Sequence, residues 1–144
     1  MNNELLKNFD QFFQKYQTNW GNGFLSGIRE VLSPEFSARE IYRSEDNYKI
    51  QDYGYSESVE GWRQAFDNFS DKKVEWQFVE ETKMQLRDDE VLVMFWVWPV
   101  INGKDPLTAH LYTNTFKKQK EWTLLRSYIE ASVPISDRGN GNVI

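Results

Sequence analysis

The chain has 144 residues, of which 22 are acidic and 17 basic, for a net charge of −5. Six Trp, seven Tyr and ten Phe make up 16 % of it, against eight Gly and four Pro, which excludes a disordered or collagen-like polymer. With no Cys and a single His, disulfide frameworks, thiol nucleophiles and zinc or multi-histidine centres are excluded too, and the acidic balance gives no electrostatic reason to bind nucleic acid.

Leu5, Leu6, Phe9, Phe12, Phe13, Tyr16 and Trp20 recur at helical spacing and predict a first helix with one apolar stripe. Gly21 and Gly23 interrupt it. A shorter helix then carries Phe24, Leu25, Ile28, Val31 and Leu32 inward and ends at Ser33-Pro34, because a residue before Pro avoids the helical region. Phe36–Arg43 reads as a strand and the stretch to Tyr55 as a polar loop. Ser56 or Ser58 then caps a third helix with Val59, Trp62, Ala65, Phe66 and Phe69 inward.

After Asp71 the period changes to two. Trp76, Phe78, Glu80, Thr82, Met84 and Leu86 share one face of a strand, Asp88-Asp89 makes a hairpin turn, and Val91–Val100 is a near-continuous apolar strand covered on both faces. Asn102-Gly103 is a second turn, followed by strands over Pro106–Lys118 and Glu121–Val133. Residues 1–133 thus read as one domain and 134–144 as a flexible tail. Three helices followed by long antiparallel strands give an α+β fold with helices on one face of a strongly curved sheet. The chain begins with an acid where a signal peptide is basic, and its longest apolar run, Val91–Ile101, falls short of the ~20 residues of a membrane-spanning helix. The expected address is cytoplasmic, away from any membrane.

The element order, the Gly54…Trp62 entry into the third helix, and the run from Thr113 through Lys117-Lys118, Trp122 and Arg126 to Ser132 resemble the nuclear transport factor two-like superfamily. That superfamily includes polyketide-cyclase-like and ketosteroid-isomerase-like proteins. The chain differs from the usual pattern at Lys120, where the family's turn carries Gly, and at Arg126 and Tyr128, where its final strand carries His. The resemblance implies a cone with an internal pocket, apolar-walled with a few polar groups, and a homodimer formed sheet to sheet.

Pairing across Asp88-Asp89 with Thr82 beside Phe95 and Glu80 beside Val97 puts these four on the concave face. Leu92, Met94, Trp96 and Trp98 then form an outer apolar patch, the candidate dimer face. On the last strand Trp122, Leu124, Arg126, Tyr128 and Glu130 share a face. There Arg126 would hold a carboxylate through paired N–H groups, or pair with Glu130 at the surface, while Glu130 or Glu80 could act as a base. His110 lies on the adjoining strand near Thr113. Unbroken pairing would put it opposite Arg126, and a bulge would reverse that. Tyr16 resembles in position the Tyr with which ketosteroid isomerases stabilise an oxyanion; for their Asp base, Glu40 and Asp46 lie in the corresponding region.

Gly21-Asn22-Gly23 follows no strand and is a helix break rather than a phosphate loop, and no cofactor or metal is expected. The leading expectation is a homodimeric protein that binds a small hydrophobic or carboxylate-bearing ligand. The alternatives are a cofactor-independent isomerase, dehydratase or hydrolase acting on a cyclic or lipid-like substrate, and a protein-interaction module.

Overall fold

A computed structural model describes residues 3–138. The helical spacing of apolar residues near the start produces α1 (Asn3–Gly21), which buries Phe9, Phe13, Tyr16 and Trp20 along one stripe. Gly23 takes a left-handed backbone (φ 64°), which lets the chain turn sharply into α2 (Leu25–Val31). Strands β1 (Leu32–Ser44) and β2 (Asn47–Gly54) follow, then α3 (Tyr55–Phe69), then β3 (Val74–Arg87), β4 (Glu90–Ile101), β5 (Thr108–Lys118) and β6 (Trp122–Pro134), and a single turn α4 (Ile135–Arg138). Asn102 and Gly103, both at positive φ, close the tight turn after β4 that the Asn-Gly pair predicts.

The strands form one sheet in the order β2-β1-β6-β5-β4-β3, antiparallel throughout except for the parallel β1–β6 pair. Three helices packed on this curved, mostly antiparallel sheet make the expected α+β cone. Register lines up side chains across its concave face. One row runs Phe95–Tyr112–Ile129–Glu40–Gln51 and the next Val93–Asn114–Ser127–Ala38–Tyr53. Under α1 the space is filled by rings: Phe9 stacks on Phe13 at 5.4 Å and meets Trp122 edge-on at 5.1 Å. The Trp122 indole N–H donates to Asn8 Oδ1 at 2.7 Å, so a buried polar atom on the sheet is satisfied by the helix above it.

Some boundaries differ from the sequence expectation. β1 starts at Leu32 and runs through Pro34, because the chain leaves α2 directly into the sheet. The expected polar loop before Tyr55 is β2, an edge strand whose side chains are almost all exposed and therefore show no alternation. No serine caps α3: Gly54 is its N-cap, the Glu57 carboxylate accepts the Gly54 N–H at 3.1 Å, and Ser58 is buried. Of the expected tail, Ile135–Arg138 forms α4, tied down where the Ile135 N–H donates to the Leu107 carbonyl, and 139–144 lie outside the described residues. No described helix is long and apolar enough to cross a membrane.

Candidate functional site

A cavity of about 520 Å³ opens between α3 and the concave face, within the usual range for small-molecule sites. Its α3 wall follows from spacing: Ser58, Trp62, Ala65, Phe66 and Phe69 recur at three or four residues and so face the sheet together. Trp20 from α1 and Trp76 from β3 complete an aromatic lining. Trp20 meets Trp62 edge-to-face at 4.5 Å and Trp76 at 5.7 Å, and Phe69 meets Trp76 at 5.7 Å.

Polar heads converge from the sheet. Tyr53 on β2 donates its O–H to Glu40 Oε1 on β1 at 3.0 Å, and Tyr16, Tyr112, His110 and Ser127 share the lining. Burial pushes the Tyr16, Tyr53 and Tyr112 hydroxyls above the ordinary phenol range, and the Glu40 carboxylate adds to this for Tyr53 and Tyr112. All three phenols therefore stay protonated and act as neutral donors. Burial also lowers the His110 pKa, favouring the neutral ring. The Ser132 N–H donates to His110 Nδ1 at 3.0 Å, which puts the proton of that neutral ring on Nε2. The Trp20 indole N–H has no hydrogen-bond partner among the described residues; it is surrounded by ring partners. No group of three described His, Asp or Glu side chains is placed to share a metal ion.

Three one-residue irregularities decide which candidates reach this cavity. The first is on β3, where Glu80 pairs with Phe95 and Thr82 with Met94, so Glu81 is the extra residue. Glu80 therefore stays on the concave side, exposed at its edge beside Lys83 and away from the cavity, while Thr82 and Met84 move to the outer face. The second is Leu125 on β6, between the Leu124–Phe116 and Arg126–Thr115 pairs. Trp122 and Leu124 point inward before it, and Ser127 and Ile129 after it, so Arg126, Tyr128 and Glu130 point outward. Arg126 lies 3.7 Å from Glu90 and, with Arg39, Asp52 and Tyr128, lines a second depression of about 450 Å³. The third sets Ala131 and Ser132 against His110 and gives Ser132 its positive φ of 56°.

The expected constellation of Arg126, Glu130 and His110 therefore does not assemble. Tyr16 and His110 line the cavity, whereas Thr113 pairs with Met94 and Tyr128 on the outer face. Phe95 and Val97 face inward but are wholly buried in the core, Phe95 against Phe13 and Tyr112, and Trp122 packs beneath α1. Leu92, Met94, Trp96 and Trp98 occupy the outer face of β4, each half-buried.

No family model matches the sequence, and no curated protein does either. Solved structures do match. An NTF2-like protein of unknown function from Pseudomonas putida superposes with a TM-score of 0.68 at 11 % identity, over 95 % of this chain and 93 % of that one. The chain has the nuclear transport factor two-like fold. A second NTF2-like protein of unknown function, from Silicibacter pomeroyi, gives 0.61 at 11 % identity over 90 % and 98 % of the two chains. A domain of unknown function with a cystatin-like fold from Nostoc punctiforme gives 0.66 at 13 % identity, over 96 % and 84 %.

Within this NTF2-like cone, the sequence points to Glu40 as a candidate base but not to its bond with Tyr53. Their antiparallel strands were hidden by the reading of 47–54 as a loop, and the pair forms across that hairpin. Trp62, Phe66 and Phe69 were legible as an inward helical face, without a sign that this face borders a cavity instead of closing on the sheet. Ser127 and Ile129 gave no signal, since their inward parity depends on Leu125.

Proposed function

We propose that the protein binds a small, largely apolar molecule inside the cone. The observation that carries this reading is a cavity of about 520 Å³ whose aromatic wall faces a Tyr53–Glu40 hydrogen bond, two further tyrosines and a neutral histidine. An apolar enclosure supplies affinity, and a few fixed polar groups supply orientation. The test uses Gly61, which lines the cavity from α3 and where an added Cβ meets nothing within 4 Å. Gly61→Phe adds a ring at a cavity-lining position and replaces Gly by a residue of better helix propensity; its fold is checked by circular dichroism. Binding of 1-naphthol, read by quenching of tryptophan fluorescence, is expected to weaken at least several-fold in Gly61→Phe. Equal quenching of both proteins, or none of either, overturns the proposal.

The same proposal includes a homodimer formed through the outer face of the sheet. It is supported by the half-buried Leu92, Met94, Trp96 and Trp98, with Val79, Met84 and Tyr128 exposed around them at 37 %, 44 % and 55 %. Light scattering at micromolar concentration is expected to give twice the chain mass; the mass of one chain overturns it.

A second reading is favoured by one arrangement: Tyr16 on α1 and Glu40 on β1 line the same cavity. In a cofactor-independent isomerase Glu40 would take a proton from the carbon beside a carbonyl and return it further along the chain. The Tyr16 hydroxyl would donate to the oxyanion formed in between. Conversion of a β,γ-unsaturated cyclic ketone, lost in Glu40→Gln and lowered by orders of magnitude in Tyr16→Phe, is the expected result. No conversion by the parent protein overturns this reading and leaves the binding reading standing.

A further inference from the structure

Charge in the cavity is one-sided. The lining contains no Lys and no Arg, and its two carboxylates are Glu40 and Glu57. Glu57 is engaged as the cap of α3, accepting the Gly54 N–H. Glu40 is held differently: its Oε1 accepts from Tyr53 at 3.0 Å, and Oε2 has no hydrogen-bond partner among the described residues. The carboxylate is thus fixed in direction and keeps acceptor capacity for a ligand. The same lining holds the rings of Tyr112, Tyr53, Tyr16, Trp20 and Trp62. An aromatic lining of this kind offers quadrupole attraction to a cation.

Three ligand chemistries can be compared with this lining. A carboxylate would meet Glu40 with no permanent cation to pair with; the Arg126 expected to receive it lies on the other face of the sheet. A neutral alcohol could donate to Glu40 but would gain nothing further from the aromatic faces. An ammonium group gains twice, by a charge-assisted hydrogen bond to the carboxylate and by attraction to the aromatic rings of the lining. We propose that the cavity takes an organic ammonium ion, its apolar body among the aromatic rings of α1 and α3 and its charged nitrogen at Glu40. This inference rests on the cavity being a ligand site, and it names the ligand class of that site.

The test compares three probes of one shape, 4-phenylbutylamine as its ammonium ion, 4-phenyl-1-butanol and 4-phenylbutyrate, by calorimetric titration at neutral pH and low salt. The amine is expected to bind at least about tenfold tighter than the alcohol, and the butyrate weakest of the three. In Glu40→Gln the lead of the amine over the alcohol falls to within about twofold, because the amide keeps the shape and removes the charge. Should that variant fail to fold, Tyr53→Phe carries the same comparison. It frees the Glu40 carboxylate from its fixed direction and is expected to reduce the lead several-fold. If the alcohol or the butyrate binds as tightly as the amine, or the lead survives in the variant, this inference is overturned while the cavity remains a binding site. If none of the three binds the parent protein, both fall together.

Discussion

One helix lies over two different interiors. Near its start, α1 lays Phe9 and Phe13 against Phe116, and Phe9 against Trp122, so that rings pack on rings. Near its end the same stripe continues as Tyr16 and Trp20, but the sheet below now presents Tyr112, His110 and Glu40, and α3 stands off to leave the cavity. The helix does not make this difference, since its apolar spacing is uniform. It arises from what the strands place opposite: branched and aromatic carbon at one end, hydroxyls, imidazole and carboxylate at the other. Packing at the first end supplies stability, and incomplete packing at the second leaves room for a ligand.

The sharpest way to break this comparison is to truncate one tryptophan in each region. Trp122→Ala, under α1, is expected to cost about 3–5 kcal/mol in denaturant unfolding, because it deletes a ring 4 % exposed and leaves a cavity. Trp62→Ala, on the half-buried α3 wall, is expected to cost only about 1–2 kcal/mol while weakening ligand binding. Equal costs would mean that the cavity wall is as tightly packed as the core.

A smaller effect sharpens the division between sheet faces. Arg126→Ala removes an outward, partly exposed side chain whose neighbour Glu90 also pairs with Arg87 at 2.9 Å. The expected change is no more than about 1 kcal/mol, with ligand affinity untouched. A large loss of binding in this variant would show that Arg126 reaches the cavity after all.

The smallest effect is a pH slope. Burial depresses the His110 pKa in the folded state, so below its ordinary value of 6.5 the unfolded chain binds the proton more readily than the folded one. Stability from this residue is complete above pH 6.5 and is lost as pH falls toward the folded pKa. Protonation would also cost His110 its role as acceptor for the Ser132 N–H. Melting temperatures of the parent and His110→Gln, measured from pH 8 to pH 5, should therefore show the parent losing more stability below pH 6.5. Parallel curves would mean that His110 is open to solvent.

Much of this molecule is legible in its sequence. Helical spacing from Leu5 to Trp20, the switch to period two after Asp71 and the Asn102-Gly103 turn are local signals, because each reflects a backbone geometry its own residues favour. They suffice for an α+β fold with helices on one face of a curved sheet and for the inward stripes of α1 and α3, while the cone was implied by the resemblance. An exposed edge strand such as β2 has no buried face to write a pattern into its sequence, so both it and the Tyr53–Glu40 bond across it waited for the fold. The other decisions fell to single extra residues. Because side chains alternate along a strand, one bulge at Leu125 exchanges the faces of everything beyond it, taking Arg126, Tyr128 and Glu130 out of the cavity and bringing Ser127 and Ile129 in. Where a bulge falls depends on how neighbouring strands curve together around the core. Composition and periodicity determined which elements form, the exposed edge strand β2 excepted; only the closed sheet decided which side chains meet inside it.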